Sequence, residues 1–375
     1  MPWKETNVMS ERKDFIKRVR KENANMSQLC KEYQISRKTG YKWLKRYREE
    51  GIAGLIDRSR RPRHFPRQTP KETEQAVIGV RKEHPTWGGR KIHARLKRLG
   101  HDDVPSPSTI TRVLARNGYI DPEEAKKHKP YQRFEMEYPN QLWQMDFKGY
   151  FEIQGQQCHP LTVLDDHSRY LVGLRVCHNE RRDTVKAHLT DIFREYGLPD
   201  AFLVDNGPPW GGIGAQPYYT RLNTWMFRLD INVIHSSPGH PQTLGKDERL
   251  HRTVDADVIE EGSFDGFQDC QYQFNTWRYI YNYERPHEAL AMDVPASRYS
   301  PSKRKFPERL PAINYPSEDV VRNVRQGGRI AFQGKVFRVG KAFAGFPVAI
   351  RPTLTDGEFN VYFCKQKIKT LSVLM

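Results

Sequence analysis

The chain has 375 residues, 62 of them Lys or Arg against 45 Asp or Glu, for a formal charge of +17. It is too long for one ordinary domain, and with 11% aromatic residues and seven tryptophans it is too rich in core-forming side chains for a disordered chain. Its polar start (MPWKETNVMSERKDF) and the lack of an uncharged apolar run near the roughly 20 residues a bilayer needs argue against secretion and membrane insertion, while five scattered cysteines (Cys30, Cys158, Cys177, Cys270, Cys364) read as reduced cytoplasmic thiols, neither disulfides nor zinc ligands.

The total charge conceals a layout: residues 1–130 carry +16, residues 131–300 carry −8 and residues 301–375 carry +9. A basic block of that size suits a polyanion, because each phosphate neutralised releases counterions and steers association. A protein that only coats DNA has no use for an acidic middle, whereas one that holds divalent metal beside DNA does.

In chain order, the first unit expected is a helix-turn-helix DNA-binding domain over residues 1–56. Phe15, Ile16 and Val19 mark one short apolar face, and Met26, Leu29, Cys30 and Tyr33 a second. Ser36 is a good N-cap for a helix from Arg37 to about Glu50, closed by Gly51. On that helix Tyr41, Leu44 and Tyr47 form the expected packed side, leaving Arg37, Lys38, Lys42, Lys45 and Arg46 for the major groove. Residues 57–70 form an arginine-rich linker, whose Arg58, Arg60, Arg61, Arg63 and Arg67 among prolines suit an extended arm in a minor groove.

A second helix-turn-helix-like domain is expected over residues 71–120. Ala76, Val77 and Val80 mark its first helix; Ile92, Leu96 and Leu99 mark the next, after Trp87-Gly88-Gly89. A third, after Ser106-Pro107-Ser108, carries Ile110, Val113 and Leu114 inside and Thr111, Arg112 and Arg116 toward DNA. Residues 121–138 read as a linker. From Pro139 the pattern becomes strands and helices: strands over 141–150, 159–165 and 169–177, a helix from Asp183 to Tyr196, and the buried strand Ala201-Phe202-Leu203-Val204. A helix over 216–229, a strand over 231–235, a long helix over 244–260 and an aromatic helix from Phe267 to Tyr283 follow. Residues 139–295 thus make an α/β domain with a mixed sheet. After a basic linker over 296–317, residues 318–375 alternate around a Thr355-Asp356-Gly357 turn and predict a small β-barrel. The fold class expected is multidomain: all-α at the N-terminus, α/β in the middle and a small C-terminal β-barrel.

Three carboxylates of the acidic domain stand apart by position. Asp146 is central in a strand, where a charge is unfavourable unless paired or ligating; Asp205 ends the buried strand; Glu248 projects from the polar stripe of a helix, with Arg252 and Asp255, opposite Leu250, Val254 and Val258. Taken singly, each has a plain alternative: a paired strand charge, a turn-forming Asp before Asn-Gly, and a solvated helix Glu. Together they could hold two Mg²⁺ ions about 3.5–4 Å apart for in-line phosphoryl displacement, and Mg²⁺ needs no His or Cys cage. Asp165-Asp166 reads as the end of a hairpin strand, and His235 and His240, separated by Pro238-Gly239, do not form a zinc pair.

Motifs then follow in order: Trp143-Gln144-Met145-Asp146, Leu164-Asp165-Asp166-His167-Ser168-Arg169 and Val204-Asp205-Asn206-Gly207. His235-Ser236-Ser237-Pro238-Gly239-His240-Pro241-Gln242-Thr243-Leu244-Gly245-Lys246-Asp247-Glu248-Arg249 and Tyr281-Asn282-Tyr283-Glu284-Arg285-Pro286-His287 complete the set. This series resembles the core of the DDE transposases of bacterial insertion sequences, which is similar to retroviral integrase. The resemblance implies an RNase H-like core over 139–295 in which Asp146, Asp205 and Glu248 are both catalytic residues and metal ligands. The cofactor implied is a pair of Mg²⁺ ions, with Mn²⁺ able to substitute. The interval from Asp205 to Glu248 is longer than is common in the family, its surplus placed at Gly211 to Tyr219, and the zinc-binding domain of the retroviral relatives is absent.

The function expected is cleavage at the terminal inverted repeats of an insertion sequence, then transfer of the 3′-hydroxyl ends into target DNA. Lys246 and Arg252 would meet DNA phosphates. Double-stranded DNA is the expected partner, with a homodimer or larger homo-oligomer joining two ends in the bacterial cytoplasm. The rivals are a domesticated transposase that only binds DNA and an RNase H-like nuclease without strand transfer.

Overall fold

A computed structural model describes residues 7–22, 24–59, 69–120, 135–211, 219–236, 245–260 and 262–373. The chain divides into two compact units, Met1–Gln68 and Thr69–Met375. Arg60, Arg61, Arg63 and Arg67 of the expected arm lie outside the described residues, as do most of the 121–138 linker and of the Gly211–Tyr219 surplus.

The first unit is the expected helix-turn-helix. Helices α1 (Val8–Val19) and α2 (Met26–Glu32) start at asparagine caps, Asn7 and Asn25. Helix α3 (Arg37–Glu50) starts where Ser36 accepts the Thr39 N–H and stops at Gly51, whose φ of +62° suits glycine. Phe15, Ile16, Leu29, Cys30, Trp43, Leu44 and Leu55 form its core. The packed face of α3 is rotated from the one expected: Tyr41 is 57% exposed, and Gly40 and Trp43 are inside. Gly40 permits this, since a Cβ there would stand 2.6 Å from Cys30 Sγ, and the large indole outcompetes a tyrosine for the core. Arg12 and Lys42 lie over the Trp43 ring, 3.9 and 4.4 Å from its centroid.

In the second unit, α4 (Lys71–Glu83), α5 (Gly89–Arg98) and α6 (Pro107–Arg116) close on Val77, Val80, Trp87, Ile92, Leu96, Ile110, Val113 and Leu114. Leu99, expected inside, lies just past the end of α5 and is 54% exposed. Gly89 sets the α5–α6 approach, because a Cβ there would lie 2.5 Å from the Pro107 carbonyl and 2.4 Å from Thr111 Oγ1. Gly89→Ala is therefore expected to destabilise this unit by about 1–3 kcal/mol, as overpacking does, read from its denaturant midpoint.

The central sheet comprises β1 (Leu142–Phe147), β2 (Phe151–Ile153), β3 (Gln156–Asp165), β4 (Leu171–Cys177), β5 (Ala201–Val204) and β6 (Asn232–His235). Its order is β4-β3-β1-β5-β6; β3 is antiparallel to β4 and β1, while β1, β5 and β6 run parallel, so the sheet is mixed as expected. The hairpin strand β2 was not anticipated; it pairs with the start of β3. Helices α7 (Arg182–Tyr196) and α8 (Arg221–Arg228) cover one face through Trp143, Met145, Val163, Phe193, Phe202 and Trp225. Helices α9 (Gly245–Val254) and α10 (Phe267–Tyr279) cover the β3–β4 side of the other through Leu164, Leu174, Leu250, Val254 and Phe274. Each of these two ends in a π-helical turn, Asp255–Ile259 and Ile280–Glu284.

The C-terminal region departs from the barrel. It forms a four-stranded sheet, β12 (Gln366–Ser372), β11 (Glu358–Phe363), β10 (Pro347–Pro352) and β7 (Val320–Asn323), and a separate hairpin of β8 (Arg329–Phe332) with β9 (Lys335–Arg338). Among the described residues its edges do not meet. Its apolar side is satisfied otherwise: Phe343, Val348, Ile350 and Phe363 join the same core as α7 and α8, and Thr224 of α8 donates to the Ala342 carbonyl.

Candidate active site

The parallel pairing of β1 with β5 sets the site. Trp143 faces Phe202 and Gln144 faces Leu203. Continued two residues past the Gln144–Leu203 pair, that register would bring Asp146 alongside Asp205, which directly follows β5, on one face of the sheet. This lies at the carboxyl ends of strands where the sheet changes from antiparallel to parallel, the place where α/β sheets leave a crevice.

Each aspartate is fixed by its own loop. Asp146 Oδ1 accepts the Phe147 N–H at 2.8 Å. Asp205 Oδ1 accepts the Gly207 N–H at 3.1 Å, and the Trp210 side chain, stacked on Phe147, also hydrogen-bonds it. His235, ending β6, places Nδ1 3.0 Å from the Asp205 carbonyl oxygen, and Asn206 Nδ2 donates to the Ser236 carbonyl at 2.7 Å. The Asp-Asn-Gly run is thus a loop held from the next strand. Burial pushes the Asp146 carboxyl up to about 7, and the neighbouring Asp205, Glu180 and Glu248 add to it. Burial likewise raises Asp205, with Glu180 adding to it and Gly207, Trp210 and His235 opposing.

Glu248 and Asp247 diverge as neighbours on a helix should. Leu250, Val254 and Val258 are buried, as the stripe required, and Glu248 is exposed on the side whose charge reaches Asp146. Asp247 is completely buried, and neither of its carboxylate oxygens has a hydrogen-bond partner among the described residues. Burial, then Asp146 and Asp166, raises its proton affinity well above the ordinary value.

Two acidic residues read as a hairpin end prove to be buried brackets. Asp165 accepts the Asn140 N–H at 2.6 Å and both groups of Ser168. Asp166, fully buried, accepts the Met136 N–H at 3.0 Å and Gln144 Nε2 at 2.6 Å, and it pairs with Lys246. Lys246, expected at DNA phosphates, thus directs its ammonium inward, whereas Arg252 is exposed beside the site.

The remaining candidate DNA contacts are largely outward. Arg37, Lys38, Lys42 and Lys45 of α3 are exposed and Arg46 is half-buried; Lys45 lies 3.8 Å from Glu49, and Arg58 pairs with Glu50. On α6, Thr111, Arg112 and Arg116 are exposed, with Arg116 paired to Glu74. The Tyr281–His287 motif is structural. Asn282 makes two hydrogen bonds to the Leu171 backbone, and Arg285 pairs with Asp257 at 2.6 Å, next to Trp277 Nε1.

Sequence reasoning missed Glu180, which precedes α7, receives His159 Nδ1 at 2.9 Å and acts electrostatically on both aspartates. It also missed Thr162 and His251. Only the strand register, which pairs Thr162 with Asp146, could have pointed to Thr162.

Among the described residues no group of three or more His, Cys, Asp or Glu side chains closes into a metal cage. The chemistry of the donors would suit Mg²⁺ nonetheless: Asp205 and Glu248 act on the charge of Asp146, and Asp146 and Asp205 are only half-buried, which would let a bound ion complete its shell with water.

An integrase core domain family matches residues 137–241, and a second integrase core family matches residues 229–295. The C-terminal domain of IS481 family transposases matches residues 319–372, a helix-turn-helix domain matches residues 11–63 and a homeodomain-like domain matches residues 39–114. The uncharacterized 31.7 kDa protein of insertion element IS407 from Burkholderia multivorans is 23% identical over 66% of this chain and 89% of that protein. The uncharacterized 39.2 kDa protein of insertion element IS476 from Xanthomonas euvesicatoria is 24% identical over 62% of this chain and 67% of that protein. The HTLV-2 integrase catalytic core domain in complex with magnesium aligns at 14% identity and a TM-score of 0.32, over 44% of this chain and 99% of that one; an overlap that loose leaves the fold to the sheet order described above. Integrase-core matches running from 137 to 295 between helix-turn-helix and IS481-type ends, with insertion-element relatives, support a DDE transposase of an insertion sequence.

Proposed function

We propose that this chain cleaves DNA at the terminal inverted repeats of its element and joins the freed 3′-hydroxyl ends to target DNA. What supports the reading is the β1–β5 register, which if continued by two residues aligns Asp146 with Asp205, together with the charge of Glu248 acting on Asp146 from α9. Asp146, Asp205 and Glu248 would hold two Mg²⁺ ions, or Mn²⁺ in their place. Bound there, the metal supplies activation of the attacking oxygen and charge neutralisation at the leaving one. The residues of α3 and α6 position the duplex through phosphate and groove contacts, with Arg252 gripping phosphates beside the site. In each step one P–O bond forms and one breaks: water attacks at the element end, then the 3′-hydroxyl attacks the target strand. Two ends need two sites, so the working form is a homodimer or larger assembly on DNA in the cytoplasm.

A pre-cleaved, labelled end incubated with target plasmid and Mg²⁺ tests this directly. Joined product is the expected result. Degradation without joining would favour a nuclease, and retention of the end without chemistry would favour a DNA-binding regulator.

A further inference from the structure

Helix α9 is tied to the aspartate strand by one polar chain that packing alone does not require. Thr162 faces Asp146 across the antiparallel β1–β3 pair and is fully buried. Its hydroxyl lies 3.1 Å from the Asp146 carbonyl oxygen and 2.9 Å from His251 Nε2. A hydroxyl has one proton, and the carbonyl can only accept, so Thr162 donates to Asp146 and His251 donates through Nε2–H to Thr162. His251 stands three residues after Glu248, on the same side of the helix. One turn further on, Asp255 pairs with Lys148, just past β1, at 2.5 Å.

We propose that His251, acting through Thr162, is the positioning residue that registers Glu248 against Asp146. The inference rests on the functional reading above. Leucines and valines hold α9 on β3 and β4 but tolerate sliding, because apolar contact is non-directional. The His251–Thr162–Asp146 chain is directional, and it ends on the backbone of the very residue whose side chain must meet Glu248. Partners of this kind orient ligands that they never touch.

The test compares His251→Leu, His251→Gln, Thr162→Val and the Leu/Val double variant in the full chain. Mn²⁺ affinity of the DNA-free protein is read by calorimetry, together with joining rate, end-DNA affinity and melting temperature. His251→Leu and Thr162→Val should each weaken Mn²⁺ binding and slow joining by about tenfold or more, the usual cost of losing such a partner, with end-DNA affinity unchanged. The double variant should be no worse than either single, since both break one chain. His251→Gln keeps an N–H donor and should recover most of the loss. A purely structural histidine would instead lower the melting temperature in all variants alike, without changing Mn²⁺ affinity in those that remain folded, and that outcome would overturn the proposal. So would additive losses or failure of the glutamine rescue. Asp146→Asn and Glu248→Gln serve as controls: if these retain wild-type Mn²⁺ binding and joining, the functional reading itself fails. If they lose both while His251→Leu does not, only the positioning role fails.

Discussion

Asp146→Asn is expected to give a protein that folds, binds end DNA like wild type, melts higher at pH 8 and yields no nicked or joined product. Loss of product follows from the proposed role: Asp146 is the buried carboxylate on which the charges of both Asp205 and Glu248 act. An amide is a poor ligand for Mg²⁺ and carries no charge. The gain in stability has the opposite origin. Burial first, then Asp205, pushes the Asp146 carboxyl to about 7 from its ordinary 3.8. The folded state therefore holds a proton that the unfolded chain releases. This contribution is fully present below about pH 4 and is lost as pH rises through about 7. At about 1.4 kcal/mol per pKa unit, three units cap the penalty near 4 kcal/mol, and water at the open side brings it to roughly 1–3 kcal/mol. The variant's advantage should vanish by pH 4, and added Mg²⁺ should stabilise the wild type and not the variant. Denaturant midpoints across pH check both. Wild-type-like cleavage by the variant sinks the catalytic assignment.

Lys246→Met is expected to be the most destabilising single change at the site, by about 3–5 kcal/mol, the cost of leaving a buried charge without its partner. The Lys246 side chain is only 15% exposed and its partner Asp166 is fully buried. Asp247 next to it is fully buried, and Lys246 is a cation that opposes the rise in its proton affinity, so its removal drives that rise further. Urea unfolding measures the loss. The same variant decides what Lys246 does on DNA. A phosphate contact would reduce the salt slope of end binding by about one, whereas a bracket inside the protein leaves that slope unchanged.

Much of this arrangement is legible in the residues themselves. Cap and periodicity place α3 within a residue or two, and apolar faces alone reveal α1, α2 and α6, because an N-cap side chain and an apolar stripe are local facts. Asp146 and Asp205 stand out because a charge at the centre or end of a buried strand needs a reason. What escapes is whatever depends on a partner distant in sequence. The rotation that exposes Tyr41 depends on how close Cys30 comes to Gly40. The inward turn of Lys246 depends on a carboxylate 80 positions earlier. In the C-terminal strands burial alternates in β8 and at Val361 and Phe363 of β11 but not in β7, whose four residues are all exposed, and alternation says only that one face is covered. Here α8 and its neighbours cover it, so the sheet has no need to curl into a barrel.

The β1–β5 register works as a ruler, and it separates the parts of the chain that can change length from those that cannot. Asp205 is located by hydrogen bonds between two strands, and Glu248 by the seating of Leu250, Val254 and Val258 against the sheet. Neither is located by counting residues along the segment that joins them. Insertions between Gly211 and Tyr219 should therefore be neutral for the geometry of the three carboxylates. A single residue added inside β1 or β5 would turn one aspartate to the opposite face of the sheet, out of reach of the other two.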